Sequence, residues 1–104
     1  MFGLFKNLFA GADPRLKEEI KEGALLVDVR TAAEFSTGSV RGAVNIPLDQ
    51  LSGKLTALKG KKSIVVFCRS GNRSSQAKSI LERHGFTNVL NGGTWQYVNQ
   101  LKNE

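Results

Sequence analysis

The feature that most constrains this chain is the run at residues 62–75, where an apolar segment ends at the only cysteine. The run reads Lys-Ser-Ile-Val-Val-Phe-Cys-Arg-Ser-Gly-Asn-Arg-Ser-Ser. Ile64–Phe67 is continuously apolar and bounded by polar residues, which predicts a strand buried on both faces. After Ser74 apolar residues recur at helical spacing, and Gly85 is a typical helix terminator. Cys68 is therefore predicted to lie where a buried strand stops and a helix is about to begin.

The segment between this strand and this helix has the composition of an anion-binding loop. A loop of small residues leading into a helix can turn several backbone N–H groups inward, and the helix dipole adds positive potential there. Arg69 and Arg73 add two charges that do not titrate, and Gly71 can adopt backbone angles that other residues avoid. Each feature favours thiolate over thiol, so we predict that Cys68 is a nucleophile.

The alternative for Cys68 is an inert cysteine of the hydrophobic core, which is the usual role of a lone cysteine. The residues after it are Arg, Ser, Gly, Asn and Arg, whereas a core cysteine would have apolar neighbours on both sides. We therefore expect Cys68 to belong to a polar loop rather than to the core.

Composition limits the function classes. A chain of 104 residues predicts one domain with a core of its own. One cysteine excludes an internal disulfide and a cysteine zinc cluster, which favours a reducing compartment and a cytoplasmic protein. The net charge of +6 is spread along the chain without interleaved aromatic residues. It predicts a solvated surface that attracts anionic substrates rather than a nucleic-acid interface.

The first twelve residues are predicted to form an amphipathic segment (1–12) ahead of a single domain (13–104). Phe2, Phe5 and Phe9 share one helical stripe. Lys6 interrupts the apolar run, so a signal peptide is not expected, and the segment is too short to span a bilayer. A membrane-surface helix would carry more basic residues. Packing on the domain or on a partner, including a homodimer contact, is the favoured interpretation over stable membrane insertion.

Strands and helices alternate along the rest of the chain. Besides the central strand, strands are predicted at Ala24–Val29, Ala43–Ile46 and Asn88–Leu90. Helices are predicted from the N-cap Asp13 with Pro14 as first helical residue, at Asp49–Leu58, from Ser74, and after the N-cap Thr94. This alternation predicts an α/β fold with a parallel sheet and helices on both faces. Ligands of such sheets bind beyond the carboxyl ends of the strands, where Cys68, Arg30 and Gly92-Gly93 all fall.

Three charged residues lie at or just beyond the carboxyl end of the first predicted strand. Asp28 and Arg30 stand at its end, and Thr31 with Glu34 has the pattern of a helix capping box. We interpret Asp28, Arg30 and Glu34 as a structural cluster that fixes this turn near the site.

Four segments of the chain occur together in one known family. They are Val27-Asp28-Val29-Arg30 with Glu34-Phe35, Gly38 to Pro47, Cys68 to Ser74, and Gly92-Gly93. In this order, over residues 15–100, they resemble the single-domain rhodaneses. The resemblance implies a three-layer domain with a small parallel sheet of four to five strands. Ser39 stands where many relatives have histidine, Tyr97 stands where they have tryptophan, and the family's opening edge strand is not predicted.

The resemblance also implies a reaction. The Cys68 thiolate would take the outer sulfur of a donor such as thiosulfate as a persulfide and pass it to cyanide or a thiol, with a protein as a further donor or acceptor. The predicted substrate-binding residues are Arg69, Ser70, Gly71, Asn72, Arg73 and Ser74. No metal or organic cofactor is required. His84 lies roughly 15 Å along the helix at 1.5 Å per residue, so it is a poor general base.

Two rivals remain at the level of the sequence. Cysteine-based phosphatases and arsenate reductases use an equivalent loop with arginine six positions after the cysteine, whereas Arg73 is five positions after Cys68. The shorter loop suits a terminal sulfur better than a phosphoryl group. Some rhodanese relatives are binding modules without the cysteine; the presence of Cys68 and both arginines favours an enzyme.

Overall fold

The computed structural model describes residues 13–104, which form a parallel sheet between two layers of helices. The strands are β1 (Leu25–Asp28), β2 (Val44–Asn45), β3 (Ile64–Cys68) and β4 (Val89–Thr94). The helices are α1 (Leu16–Lys21), α2 (Ala32–Ser36), α3 (Leu55–Leu58), α4 (Asn72–Arg83) and α5 (Trp95–Asn103), with a 3₁₀ helix at Leu48–Gly53. The amphipathic segment predicted at 1–12 lies outside the described residues.

The sheet has the order β2-β1-β3-β4, and every pair of neighbours is parallel. All five residues of β3 are buried, as expected for a strand with a neighbour on each side and helices on both faces. Because successive side chains point to opposite faces, Ile64 and Val66 join a core cluster with α4, whereas Val65 and Phe67 join another with α1 and α5. The predicted three-layer α/β fold, with four strands in residues 13–104, is confirmed.

The helix predicted at Asp49–Leu58 is wrong as one continuous element. A 3₁₀ helix ends at Gly53, Lys54 leaves helical geometry (φ −121°, ψ 21°), and α3 follows. Glycine weakens a helix interior, and the 3₁₀ turn aligns residues three apart. Leu51 and Leu58 are both buried against the sheet despite the break. The apolar spacing therefore predicted the buried face correctly but not the helix type.

The first helix starts later than its cap signal indicates. Asp13 was predicted to be its N-cap, but α1 begins at Leu16. The Asp13 carboxylate accepts hydrogen bonds from the amide and the guanidinium of Arg15 at 2.7–2.9 Å.

No helix among residues 13–104 is long and apolar enough to cross a membrane.

Strand β4 is longer than predicted and contains an irregularity. Val66 pairs with Asn91 and Phe67 pairs with Gly93, so Gly92 is an extra residue on β4. A Cβ atom at Gly92 would lie 2.5 Å from Val98 Cγ2 and 2.9 Å from Val65 Cγ1. Glycine is therefore required where α5 approaches the sheet, and the extra residue brings Thr94 opposite Cys68.

Candidate active site

The candidate site is built where β3 ends and α4 begins. Cys68 is the last residue of β3, and three residues later Gly71 turns the chain into α4 with a left-handed backbone (φ +97°). Residues with a side chain rarely adopt this backbone conformation, whereas glycine adopts it readily and so permits the tight turn. The geometry places the first amides of α4 around the cysteine side chain.

Two backbone amides and one hydroxyl group converge on the sulfur. The amide of Gly71 lies 3.0 Å from Cys68 Sγ, and the amide of Ser74 lies 3.4 Å from it. The Ser74 hydroxyl oxygen is 3.6 Å from Sγ and 3.0 Å from the Gly71 carbonyl oxygen. A sulfur surrounded in this way is stabilised as an anion.

The expectation that Cys68 lies outside the core is wrong. The residue has no exposed surface and packs in the same cluster as Val66 and Ala77. The reason is the pleat: as the last residue of β3, Cys68 points to the same face as Val66, and the loop folds over its sulfur. Cys68 is thus a core residue whose sulfur contacts polar loop atoms, a combination that neither sequence alternative described.

Two opposing effects determine the ionisation of Cys68. Burial raises the pKa of the thiol, but hydrogen bonds from the Ser74 hydroxyl and from the amides of Ser74, Ser70 and Gly71 outweigh it. The pKa of Cys68 is therefore below its usual value. Since the thiolate is the nucleophilic form, the loop makes this buried sulfur more reactive at neutral pH than an ordinary buried cysteine.

Arg73 forms an ion pair that the sequence analysis did not foresee. Its two terminal guanidinium nitrogens donate to the two carboxylate oxygens of Glu34, at 2.7 and 3.0 Å. Glu34 also completes the predicted capping box: its carboxylate accepts from the Thr31 amide, and the Thr31 hydroxyl accepts from the Glu34 amide. The pair joins α2 to α4 across 39 residues of sequence, a separation that no local pattern reveals.

The other predicted substrate-binding side chains face solvent. Arg69, Ser70 and Asn72 are exposed. Within residues 13–104 the Arg69 guanidinium takes part in no hydrogen bond or ion pair. Arg69 is therefore the loop arginine whose charge is not matched by a carboxylate.

Asp28 and Arg30 form a buried pair beside the loop. Arg30 Nε lies 3.0 Å from both Asp28 carboxylate oxygens, and its Nη2 donates to Oδ2 at 2.7 Å. The Ser39 hydroxyl donates to the same Oδ2 at 2.6 Å. Asp28 has no exposed surface, and the exposed fraction of Arg30 is 4%. Asp28 and Arg30 thus pair with each other at this turn, whereas Glu34, predicted to join them, binds Arg73.

Arg30 extends this network to the opposite edge of the site. Its Nη2 also donates to the Gly38 carbonyl oxygen at 2.6 Å, and the guanidinium carbon lies 5.3 Å from the Trp95 ring centroid. The stacked cation and ring attract each other. One buried side chain thereby ties the loop at Gly38 to the start of α5.

A cavity of about 490 Å³ adjoins the loop on its α4 side. Arg73 and Ile80 of α4, Leu48 of the 3₁₀ helix, and Val29 contribute to its walls.

His84 lies at the far end of α4, with Nδ1 2.9 Å from the Ile80 carbonyl oxygen. Residues 13–104 contain no group of three or more His, Cys, Asp or Glu side chains placed to hold a metal ion. The functional groups at this rim are the Cys68 sulfur, the amides that contact it, and the guanidinium groups of Arg69 and Arg73.

Comparison with protein families shows which family this chain belongs to. The rhodanese-like domain family matches residues 13–100. The chain belongs to this family. The structure of a human single-domain sulfurtransferase, TSTD1, is similar: its TM-score is 0.70 at 32% identity, over 88% of this chain and 93% of that one. A rhodanese from E. coli solved with anions gives a TM-score of 0.67 at 32% identity, over 72% of this chain and 91% of that one.

Curated sequences give the same relationship. Thiosulfate sulfurtransferase PspE of Escherichia coli is 41% identical over 69 residues, which cover 64% of this rhodanese-like chain and 66% of PspE. A sulfurtransferase of Allochromatium vinosum is 37% identical over 70 residues, 67% of this chain and 65% of that protein. The matches thus span about two thirds of the length of these two relatives.

Proposed function

We propose that this rhodanese-like protein is a sulfurtransferase that carries sulfane sulfur as a persulfide on Cys68. In the first half-reaction the thiolate attacks the outer sulfur of thiosulfate. The new Sγ–S bond forms as the S–S bond of thiosulfate breaks, and sulfite leaves with the bonding electron pair. In the second, cyanide or a thiolate attacks the outer persulfide sulfur and regenerates the Cys68 thiolate. Two separate half-reactions predict ping-pong kinetics.

The observation that carries this proposal is the ring of donors around Sγ. The Gly71 and Ser74 amides at 3.0 and 3.4 Å favour the attacking thiolate. As charge moves to the outer sulfur, donors of the same loop would stabilise it as an oxyanion hole stabilises oxygen. Arg69, exposed and without a carboxylate partner in residues 13–104, is the cation best placed to attract an anionic donor.

The similar proteins support the same class of reaction. PspE is named a thiosulfate sulfurtransferase and TSTD1 a single-domain sulfurtransferase. YrkF of Bacillus subtilis, named a putative sulfur carrier protein, is 31% identical over 75 residues, which cover 72% of this chain and 40% of YrkF. We therefore include small anionic donors, thiol or cyanide acceptors, and protein sulfur donors or acceptors in the proposal.

Intact-mass measurement tests the proposal directly. The protein is incubated with thiosulfate, desalted and weighed without reductant; one added sulfur, about 32 Da, that cyanide or dithiothreitol removes is the expected result. Cys68→Ser should gain no mass and transfer no sulfur, whereas Arg69→Ala should mainly weaken the use of thiosulfate. His84→Ala is the matched control and should load like the wild type. An unchanged mass with thiosulfate and with polysulfide would instead favour a binding module.

A further inference from the structure

The two arginines of the Cys68 loop differ in their electrostatic surroundings. Arg73 is held by both carboxylate oxygens of Glu34 at 2.7 and 3.0 Å, while Arg69 is exposed and has no ion pair within residues 13–104. Since Asn72 is neutral, the segment 69–74 together with Glu34 carries a net side-chain charge of +1 rather than +2. The loop therefore offers an incoming anion one unmatched positive charge.

Glu34 is held in place by contacts in addition to Arg73, unlike the carboxylate of a typical surface salt bridge. Glu34 Oε1 accepts from the Thr31 amide at 3.0 Å and from the Thr31 hydroxyl at 3.1 Å, in addition to Arg73. Arg73 lies in the first turn of α4, one residue before Ser74, whose amide and hydroxyl face the sulfur. The carboxylate is thus held beside the loop while the sulfur chemistry takes place.

The ionisation of both partners agrees with this geometry. The hydrogen bond from Arg73, followed by those from Thr31, holds the pKa of Glu34 at about 2, so the group is a carboxylate at neutral pH. The pKa of Arg73 is raised, chiefly by its hydrogen bond to Glu34, with smaller contributions from the charges of Glu34, Cys68 and Asp28. Arg73 directly precedes Ser74, whose amide lies 3.4 Å from Cys68 Sγ, so its backbone lies close to the sulfur.

We propose that Glu34 sets the charge preference of the sulfur-donor site: by pairing with Arg73 it leaves Arg69 as the one unmatched guanidinium of the loop and limits the advantage of doubly over singly charged donors. This inference rests on the proposed sulfurtransferase function. It makes Glu34 a positioning residue that acts through Arg73 and does not itself touch the donor.

Two sulfur donors that differ by one charge test whether Glu34 sets this charge preference. Thiosulfate is a dianion, and methanethiosulfonate is a monoanion in which a methyl group replaces one oxygen; both present a terminal sulfur, and their leaving groups are sulfite and methanesulfinate. Glu34→Gln removes the negative charge but keeps an amide that can still contact Thr31 and Arg73. Because Coulomb energy scales with donor charge, the KM for thiosulfate should fall roughly three- to tenfold, and that for methanethiosulfonate by about the square root of this factor.

The matched control is Glu82→Gln on α4, the helix that also contains Arg73. Glu82 pairs with Lys78 at 2.6 Å on an exposed face, and ten residues separate it from Asn72, roughly 15 Å at 1.5 Å per residue. It makes the same change of charge far from the sulfur, so both KM values should stay as in the wild type. Equal changes of KM for the two donors in Glu34→Gln, no change, or loss of loading with both would overturn the assignment, because a merely structural role does not discriminate donor charge.

Salt dependence gives a second test that needs no substitution of Glu34. If Arg69 supplies the unmatched charge, Arg69→Gln should remove most of the increase in the thiosulfate KM with ionic strength. If about half of that increase remains, Arg73 also attracts the donor and the inference is wrong. A protein that forms no persulfide with either donor, even as the wild type, would contradict the proposed function itself, and this outcome is distinct from the others.

Discussion

The amide of Gly71 lies 3.0 Å from Cys68 Sγ, and it reaches the sulfur because the Gly71 backbone is left-handed (φ +97°). A Cβ atom at Gly71 would come no closer than 3.8 Å to its nearest neighbour, Gly93 Cα. Space is therefore available for a side chain, and the backbone conformation is what requires glycine. The position of the Gly71 amide beside the sulfur thus depends on the backbone dihedral angles of Gly71.

Ser74→Ala should shift the ionisation of Cys68 upward. The substitution removes the hydroxyl that lies 3.6 Å from Sγ and helps hold the pKa of Cys68 below its usual value. With a raised pKa, a smaller fraction of the sulfur is thiolate at neutral pH, so the curve of alkylation rate against pH should move to higher pH. Iodoacetamide kinetics on the native protein measure this, with the exposed Ser75→Ala as control. A curve that superimposes on the wild type would show that the amides alone set the pKa.

The Glu34–Arg73 pair should give the fold a specific dependence on acid. The pKa of Glu34 is lowered from 4.5 to about 2, chiefly by the hydrogen bond from Arg73. A carboxyl with a lowered folded-state pKa stabilises the fold fully above its unfolded pKa, and this contribution is lost as the pH falls through the folded value. The difference in Tm between wild type and Glu34→Gln should therefore shrink between pH 4.5 and pH 2. A difference that stays constant over this range would contradict the assigned cause.

Asp28→Asn should be strongly destabilising. The change leaves Arg30, 4% exposed, without its carboxylate partner, and removing one member of a buried ion pair costs about 3–5 kcal/mol. Urea unfolding followed by circular dichroism measures the loss. Asp49→Asn, at an exposed site on the 3₁₀ helix, is the control and should leave the free energy of unfolding nearly unchanged. A loss below about 1 kcal/mol, well under the range expected for a broken buried pair, would mean that the Gly38 carbonyl oxygen and the Trp95 ring suffice to hold Arg30.

Gly92→Ala should destabilise the packing of α5 on the sheet. Its Cβ atom would lie 2.5 Å from Val98 Cγ2 and 2.9 Å from Val65 Cγ1, and overpacking of this kind costs about 1–3 kcal/mol. Gly53→Ala is a matched control, because nothing lies within 4 Å of its Cβ position and no positive φ is involved. In a Val98→Ala background the cost of Gly92→Ala should be smaller, since the nearest clashing methyl is gone. Additive effects would place the strain elsewhere.

The parts of the fold that the sequence predicted are those governed by local patterns. The apolar run at Ile64–Phe67 identified the central strand, and Thr31 with Glu34 identified a capping box that the structure contains. The helix at Asp49–Leu58 was predicted wrongly because the spacing of leucines reports which face is buried and not whether the backbone is α or 3₁₀.

What the sequence could not predict depends on contacts between distant residues. Glu34 and Arg73 are 39 residues apart, and each has a sufficient local explanation without the other. The complete burial of Cys68 was missed for a similar reason, since the polar residues after it indicate a loop but not that this loop folds back over the sulfur. The roles of Arg69 to Ser74 in binding a donor remain predictions.

The contact between Arg30 and Trp95 has a practical consequence. Trp95 is the only tryptophan in the chain, its ring centroid lies 5.3 Å from the Arg30 guanidinium carbon, and it directly follows Thr94, the register partner of Cys68. A half-buried indole beside a fixed cation has an emission spectrum that responds to small changes in its surroundings. The chain thus contains its own fluorophore one residue beyond the register partner of Cys68, and we expect its emission to report sulfur loading without an attached dye.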